Sequence, residues 1–379
     1  MAPAHDPSLK TTPRTRAVRA VRAVRAPSRA WLMLPAALSL LAGLDAALML
    51  SGVAAPVHGA ALPGRHGVLM TLGFLGTLIA LERAVALRAP WGYAAPGLLG
   101  AGGVALTIGL PAHVGAVLLA DGSAALLAVY TLLYQRQHDE STAVEALSAV
   151  AATGAAVLWL RLSIAELLLW LVAFVVLTIA AERVELARLH LPARAGRLLL
   201  AAAVLVLATA VASLAWPDLG DRAAGAVLLV LTATLVVYDV ARRTIRLPGL
   251  PRLSAAALLC GYVWLAVAAV VWLYAGTPTS QAQYDTAVHG VFLGFGMSMV
   301  IAHAPVILPA VIRRPMPYRR IQWAPLVVLQ ASLVIRIFGG NALGNEHLWT
   351  TGAVLGVIAL LLLPVTVLAS MLTARKAAR

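Results

Sequence analysis

Stretches of almost unbroken apolar sequence, separated by a few residues of Pro, Gly or charge, run through this chain from about residue 31 to the end and set what it can fold into. They cover about 31–54, 66–87, 94–111, 114–134, 143–160, 163–182, 197–215, 222–240, 253–274, 286–311, 322–338 and 349–372. Most reach the roughly 18–25 residues that carry a helix across a bilayer, and a few are marginal. The spacing predicts an all-α, polytopic bundle of about twelve transmembrane helices. Composition agrees: 61% of the residues are hydrophobic and 12% charged, whereas a soluble domain carries charge on about a quarter of its residues. The weakest boundary lies between the fifth and sixth runs, where Arg161, Leu162 and Ser163 alone make the turn.

The charges order these helices. Arg88, Arg136, Arg188 to Arg197, Arg242 to Arg252, Arg313 to Arg320 and Arg375 to Arg379 all follow even-numbered runs. The other loops hold Asp218, Asp221, Asp285 and Glu346, with only scattered arginines such as Arg65, Arg161 and Arg222. Short cytoplasmic loops collect Lys and Arg, so the basic side and both termini are expected in the cytoplasm. The formal charge of +14 is thereby explained by topology, and a nucleic-acid partner is not expected. Residues 1–30 read as a basic, unstructured arm, in which Arg16, Arg19, Arg22 and Arg25 recur at every third position. Residues 31–372 form one transmembrane domain, and 373–379 a short basic tail. Trp91, Trp216, Trp272, Tyr274, Trp323 and Trp349 cluster near run ends, as aromatic side chains do at the bilayer interface.

An ionisable group inside a lipid-spanning helix is costly, so each carries a functional hypothesis by default. His66 and His289 each open an even-numbered helix on the non-basic side with the same phrase. His66-Gly67-Val68 runs on to Gly73-Phe74, and His289-Gly290-Val291 to Gly294-Phe295-Gly296. In an α-helix, a residue seven positions on returns to the same face, so Gly73 and Gly296 would leave a side-chain-free strip beneath each imidazole. Two imidazoles at similar depth over such strips suit the axial ligation of a haem, tuned by its ligands and burial. The alternative is two interfacial histidines with glycines that serve helix packing. Arg336, at the same side in the eleventh run, suits a haem propionate, or simply snorkels at a helix end.

His303 lies fourteen residues after His289 in the tenth run, near Pro305 and Pro309. It is a candidate second metal ligand, a proton-relay group, or a cap on a carbonyl freed by proline. Ile79-Ala80-Leu81-Glu82-Arg83 and Ile179-Ala180-Ala181-Glu182-Arg183 are matching phrases. They read as anchors near the basic face or as a proton-uptake route, and hint at a pseudo-threefold arrangement of four-helix units. Asp45 and Asp121 are isolated membrane carboxylates, and Cys260, the one cysteine, excludes a disulfide within the chain. No phosphate-binding loop, dinucleotide fingerprint or zinc-protease helix is present.

A twelve-helix plan with a histidine opening helix two, another in helix ten and an arginine at the end of helix eleven resembles subunit I of the haem-copper oxidases. The histidine and glycine-phenylalanine phrase of helix two is similar to that of the NnrS family. These resemblances imply a haem on His66 and His289 with Arg336 at a propionate. They also imply a multi-pass protein of the bacterial cytoplasmic membrane, engaged in electron transfer or nitric-oxide stress, with a redox partner or a second copy as partner. One departure matters. The oxidases' copper site needs histidines in helices six and seven, where this chain has none, so copper is not supported. A proton-coupled secondary transporter without a cofactor remains the alternative.

Overall fold

The computed structural model describes residues 29–57, 59–187, 194–312 and 316–377. Among these the fold is helical with no strand. The helices are α1 (Trp31–Leu50), α2 (Pro63–Leu87), α3 (Ala94–Thr107), α4 (Ala112–Gln137), α5 (Glu140–Leu158) and α6 (Leu168–Ala187). They continue with α7 (Ala195–Ala215), α8 (Pro217–Tyr238), α9 (Leu250–Ala275), α10 (Gln281–Val306), α11 (Arg320–Ala342) and α12 (Glu346–Ala377). Every expected apolar run falls on a helix, and 10 of the helices are long and apolar enough to cross a membrane. The chain is therefore a multi-pass membrane protein. The two that fall short are α3, with only 14 residues, and α6, which carries Glu182, Arg183 and Glu185 near its end.

One doubtful boundary holds and two sequence expectations change. Residues 159–167 separate α5 from α6, so the doubtful boundary is a real turn, closed by Glu166 accepting from the Ser163 N–H at 2.8 Å and its hydroxyl at 2.7 Å. Those two donors hold the Glu166 carboxyl below the usual carboxylate range. The helix α12 continues through Ala377, so most of the expected tail is helical. The expected N-terminal arm lies outside the described residues except for its last two positions. The second change concerns Asp285. It was expected in a loop, yet α10 begins at Gln281. Ser280 and Gln283 form a capping box, with Gln283 N–H donating to Ser280 Oγ at 3.2 Å, which starts the helix a turn earlier than hydropathy indicates.

The bundle is arranged around α6. Its residues from Leu168 to Ala181 are almost all buried, as expected of a helix that is apolar on every face. It packs on α5, α7, α8 and α10, while α1 meets α12 and closes the ring. Short turns force neighbours to run antiparallel, so the loops following even-numbered helices gather at one end, termed here the basic end. Small residues let the backbones approach closely. A Cβ on Gly225 of α8 would sit 2.4 Å from the Leu273 nitrogen and 2.6 Å from the Ala269 carbonyl of α9. Gly276, at φ 66°, turns the chain out of α9 with the Asp218 carboxylate against it.

Three stretches wind more loosely than an α-helix: Leu69–Gly76 in α2, Gly290–Met297 in α10 and Ile335–Ala342 in α11 are π-helical. Such segments are rare and concentrate at functional sites. Here they lie next to His66 and His289 and include Arg336.

Gly225→Val should force α8 from α9. Overpacking of this kind costs about 1–3 kcal/mol, to be read as a lowered melting temperature of the detergent-solubilised protein.

Candidate functional site

The end of the bundle opposite the basic loops holds a cavity of about 570 Å³. His66, His289, Asp285, Arg336 and Trp349 border it, together with apolar side chains such as Phe292 and Met297. The helices that carry the histidines pack mainly on other partners, α2 on α1 and α3, and α10 on α6, α9 and α11. The cavity is the space left between them.

Both imidazoles are oriented by a main-chain carbonyl. His66 Nδ1 lies 2.8 Å from the Gly43 carbonyl of α1. His289 Nδ1 lies 3.0 Å from the Asp285 carbonyl and 3.1 Å from the Asp285 carboxylate. An acceptor at Nδ1 places the proton there and leaves the lone pair on Nε2. The hydrogen bonds of both rings among the described residues are made through Nδ1, and none reaches either Nε2. A ligating histidine is held in this manner, with one ring nitrogen tied by a carbonyl or carboxylate and the other free to bind.

Asp285 organises the rest. Its carboxylate, 2% exposed, accepts from Arg336 Nη2 at 2.6 Å and Nε at 3.0 Å. It also accepts from Asn341 Nδ2 at 2.9 Å and Trp349 Nε1 at 3.1 Å. The Arg336 guanidinium lies 4.8 Å from the centre of the Trp349 ring, a cation–π distance. One carboxylate thus ties α10 to α11 and α12 and points His289. Sequence reading missed Asp285 because hydropathy put it in a loop. The capping box at Ser280 and the four-residue spacing to His289 were the available signals.

The other candidates are placed as follows. Arg336 borders the cavity, but Nε and Nη2 are directed at Asp285, so Nη1 is the nitrogen left uncommitted for a second anion. Gly73 does not lie beneath His66. It faces α1 and α3, where its Cβ would meet Ser39 Oγ at 3.0 Å and the Gly103 backbone at 3.4 Å. Gly296 borders a separate cavity nearer the basic end. The reason is the π-helical winding, since an i→i+5 turn holds more residues than an α turn. A spacing of seven then no longer returns to one face. His303 is not available as a metal ligand. Its Nδ1 is 2.8 Å from the Met299 carbonyl and its Nε2 3.1 Å from Arg183 Nη1. A guanidinium can only donate, so both ring nitrogens are engaged. Asp45 is buried in α1 and accepts from the Val57 N–H at 2.9 Å. Asp121 is exposed on α4, and Cys260 is half-buried. Among the described residues no three His, Cys, Asp or Glu are gathered as a metal cluster.

Asp285→Asn should leave Arg336 buried without its counter-charge, a loss of about 3–5 kcal/mol for a broken buried pair. The double variant Asp285→Asn/Arg336→Met should recover part of it. Melting temperatures of the single and double variants measure both.

No curated protein and no solved structure matches this chain. A family described as a domain of unknown function, DUF8744, matches residues 29–372, the whole transmembrane bundle. The chain is a member of that family, the DUF8744 proteins.

Proposed function

We propose that the protein is a haem-binding membrane protein, in which His66 and His289 would hold the iron. The observation that carries this reading is the pair of imidazoles bordering one cavity, each with Nδ1 held by a carbonyl and Nε2 unpartnered. The donor set fits a porphyrin iron, which takes two neutral nitrogens and needs no further protein ligand. A cavity walled largely by apolar side chains fits the macrocycle, and Arg336 Nη1 supplies one charge-assisted donor for an acidic substituent. A haem bound there supplies a one-electron couple tuned by its ligands, its burial and nearby charge. The chain's own contribution is to orient the two rings, to keep the Asp285–Arg336 charge beside them and to exclude bulk water.

The bundle is read as about twelve membrane crossings, with the basic end and both termini in the cytoplasm. The histidine cavity then opens toward the far side of a bacterial cytoplasmic membrane. This arrangement supports a likeness to haem-copper oxidase subunit I and the NnrS family in plan, with the copper-site histidines missing. The role that suits it is electron transfer or protection in nitric-oxide stress, with a redox partner or a second copy of the chain.

A reduced-minus-oxidised visible spectrum of the protein, expressed with ample haem, is expected to show sharp low-spin bands. His66→Ala and His289→Ala should each weaken or abolish them. A colourless native protein overturns the reading and favours a proton-coupled transporter. Topology is tested separately in a Cys260→Ala background. Cysteines placed at Pro111 and Gln137, the two ends of α4, should be labelled by an impermeant maleimide from opposite faces, Gln137→Cys from the cytoplasmic one.

A further inference from the structure

The basic end of the bundle holds a second polar centre that the histidine cavity does not use. Arg83 of α2 faces three carboxyls: its Nη2 lies 3.1 Å from Glu182 of α6, 3.0 Å from Glu145 of α5 and 3.9 Å from its neighbour Glu82. The second arginine, Arg183, has its direct contacts elsewhere. It is 3.1 Å from Asp239, which also accepts a hydrogen bond from the Tyr262 hydroxyl, and it donates to His303 Nε2. His303 adds no charge, because its Nε2 is an acceptor and carries no proton. Three carboxyls therefore share one cation in a buried place. Ionising all of them would leave two uncompensated negative charges, which a bundle interior does not tolerate.

The three carboxyls are not equivalent. Glu182 accepts a hydrogen bond from Arg83 Nη2. Glu145 is 1% exposed, and its Oε1, although near the same nitrogen, accepts no hydrogen bond. The Tyr130 hydroxyl is also buried without a hydrogen-bond partner, on a ring whose centre lies 5.9 Å from the Arg83 guanidinium. Glu82 is the most accessible, with a third of its side chain exposed. With Glu182 and His303 it borders a cavity of about 280 Å³ between α1, α2, α6, α10 and α12. Glu185 of α6, exposed near the same end, completes the charges around the group.

We propose that Glu82, Glu145 and Glu182, gathered on Arg83, form a proton-binding site: Glu182 is the ionised partner of Arg83, Glu145 holds a proton at neutral pH, and Glu82 exchanges it with the cavity. Exchange breaks one carboxyl O–H bond and forms another on a neighbouring carboxylate or water, and no electrons move. The ligand is a proton rather than a metal ion, since the same cluster offers no grouped set of metal donors among the described residues. The site stands independently of what the histidine cavity binds. Leu75 and Met297 border both cavities, so one side-chain layer separates the cavity beside Glu82 from the histidine cavity.

Infrared spectroscopy of the purified full chain tests this. The native protein at neutral pH should show a protonated-carboxyl C=O band that shifts in D₂O and bleaches as the pH is raised. Glu145→Gln should remove the band. Glu182→Gln removes a competing charge, lets Glu145 ionise beside Arg83, and should weaken it. Absence of the band from the native protein, or its survival unchanged in Glu145→Gln, overturns the proposal. Should Glu145→Gln fail to fold, Glu182→Gln decides: a weakened band supports the site, and an unchanged one overturns it.

Discussion

A charge inside an apolar bundle must find its counter-charge there, and the placement of these helices follows from that demand. Lipid is as apolar as leucine, so hydrophobic burial by itself does not select one helix neighbour over another. The polar contacts do. Arg83 joins α2 to α5 and α6. Arg183 joins α6 to His303 of α10 and, through Asp239, to Tyr262 of α9. Asp285 joins α10 to Arg336 of α11 and Trp349 of α12. These links run from the second helix to the last, and each has alternatives that would leave a buried charge unpaired.

The close helix contacts work in the same direction. Gly73, Gly103 and Ser39 let α1, α2 and α3 meet within van der Waals distance, and Gly225 does so for α8 and α9. The π-helical stretches decide which side chains face these seams and which face a cavity. In α2 the looser winding turns Gly73 toward its neighbours while His66, at the start of the helix, keeps the cavity. In α10 it separates His289 from Gly296, so that the two border different cavities.

The result is a bundle with two polar ends and an apolar waist. One end presents unpartnered imidazole nitrogens beside a neutralised ion pair, an environment suited to an electron carrier. The other gathers more carboxyls than cations, an environment suited to a proton. Leu75 and Met297 lie between them. On the proposed readings, movement of an electron into a low-dielectric interior would favour a compensating proton nearby, which would couple the two ends of the bundle.

The sequence alone determined the class of the protein. Apolar run length and the segregation of arginines are local or nearly local properties, and they placed every helix to within a turn or so. His66 and His289 were also legible, because their phrases repeat. What surrounds them was not. Asp285 was hidden by its polar neighbours in a helix start that hydropathy reads as loop, and Glu145 by a run that otherwise looks apolar. Gly73 and Gly296 were assigned from ideal α-helical spacing, which the π-helical winding breaks. Arg336 reads as a propionate partner or a snorkelling arginine and His303 as a ligand, a relay or a carbonyl cap, and only packing shows that Asp285 and Arg183 engage them. Partner choice depends on which helices lie side by side and how far each is rotated. That is decided by satisfying all buried charges and backbone contacts at once, and no single segment of the sequence records it.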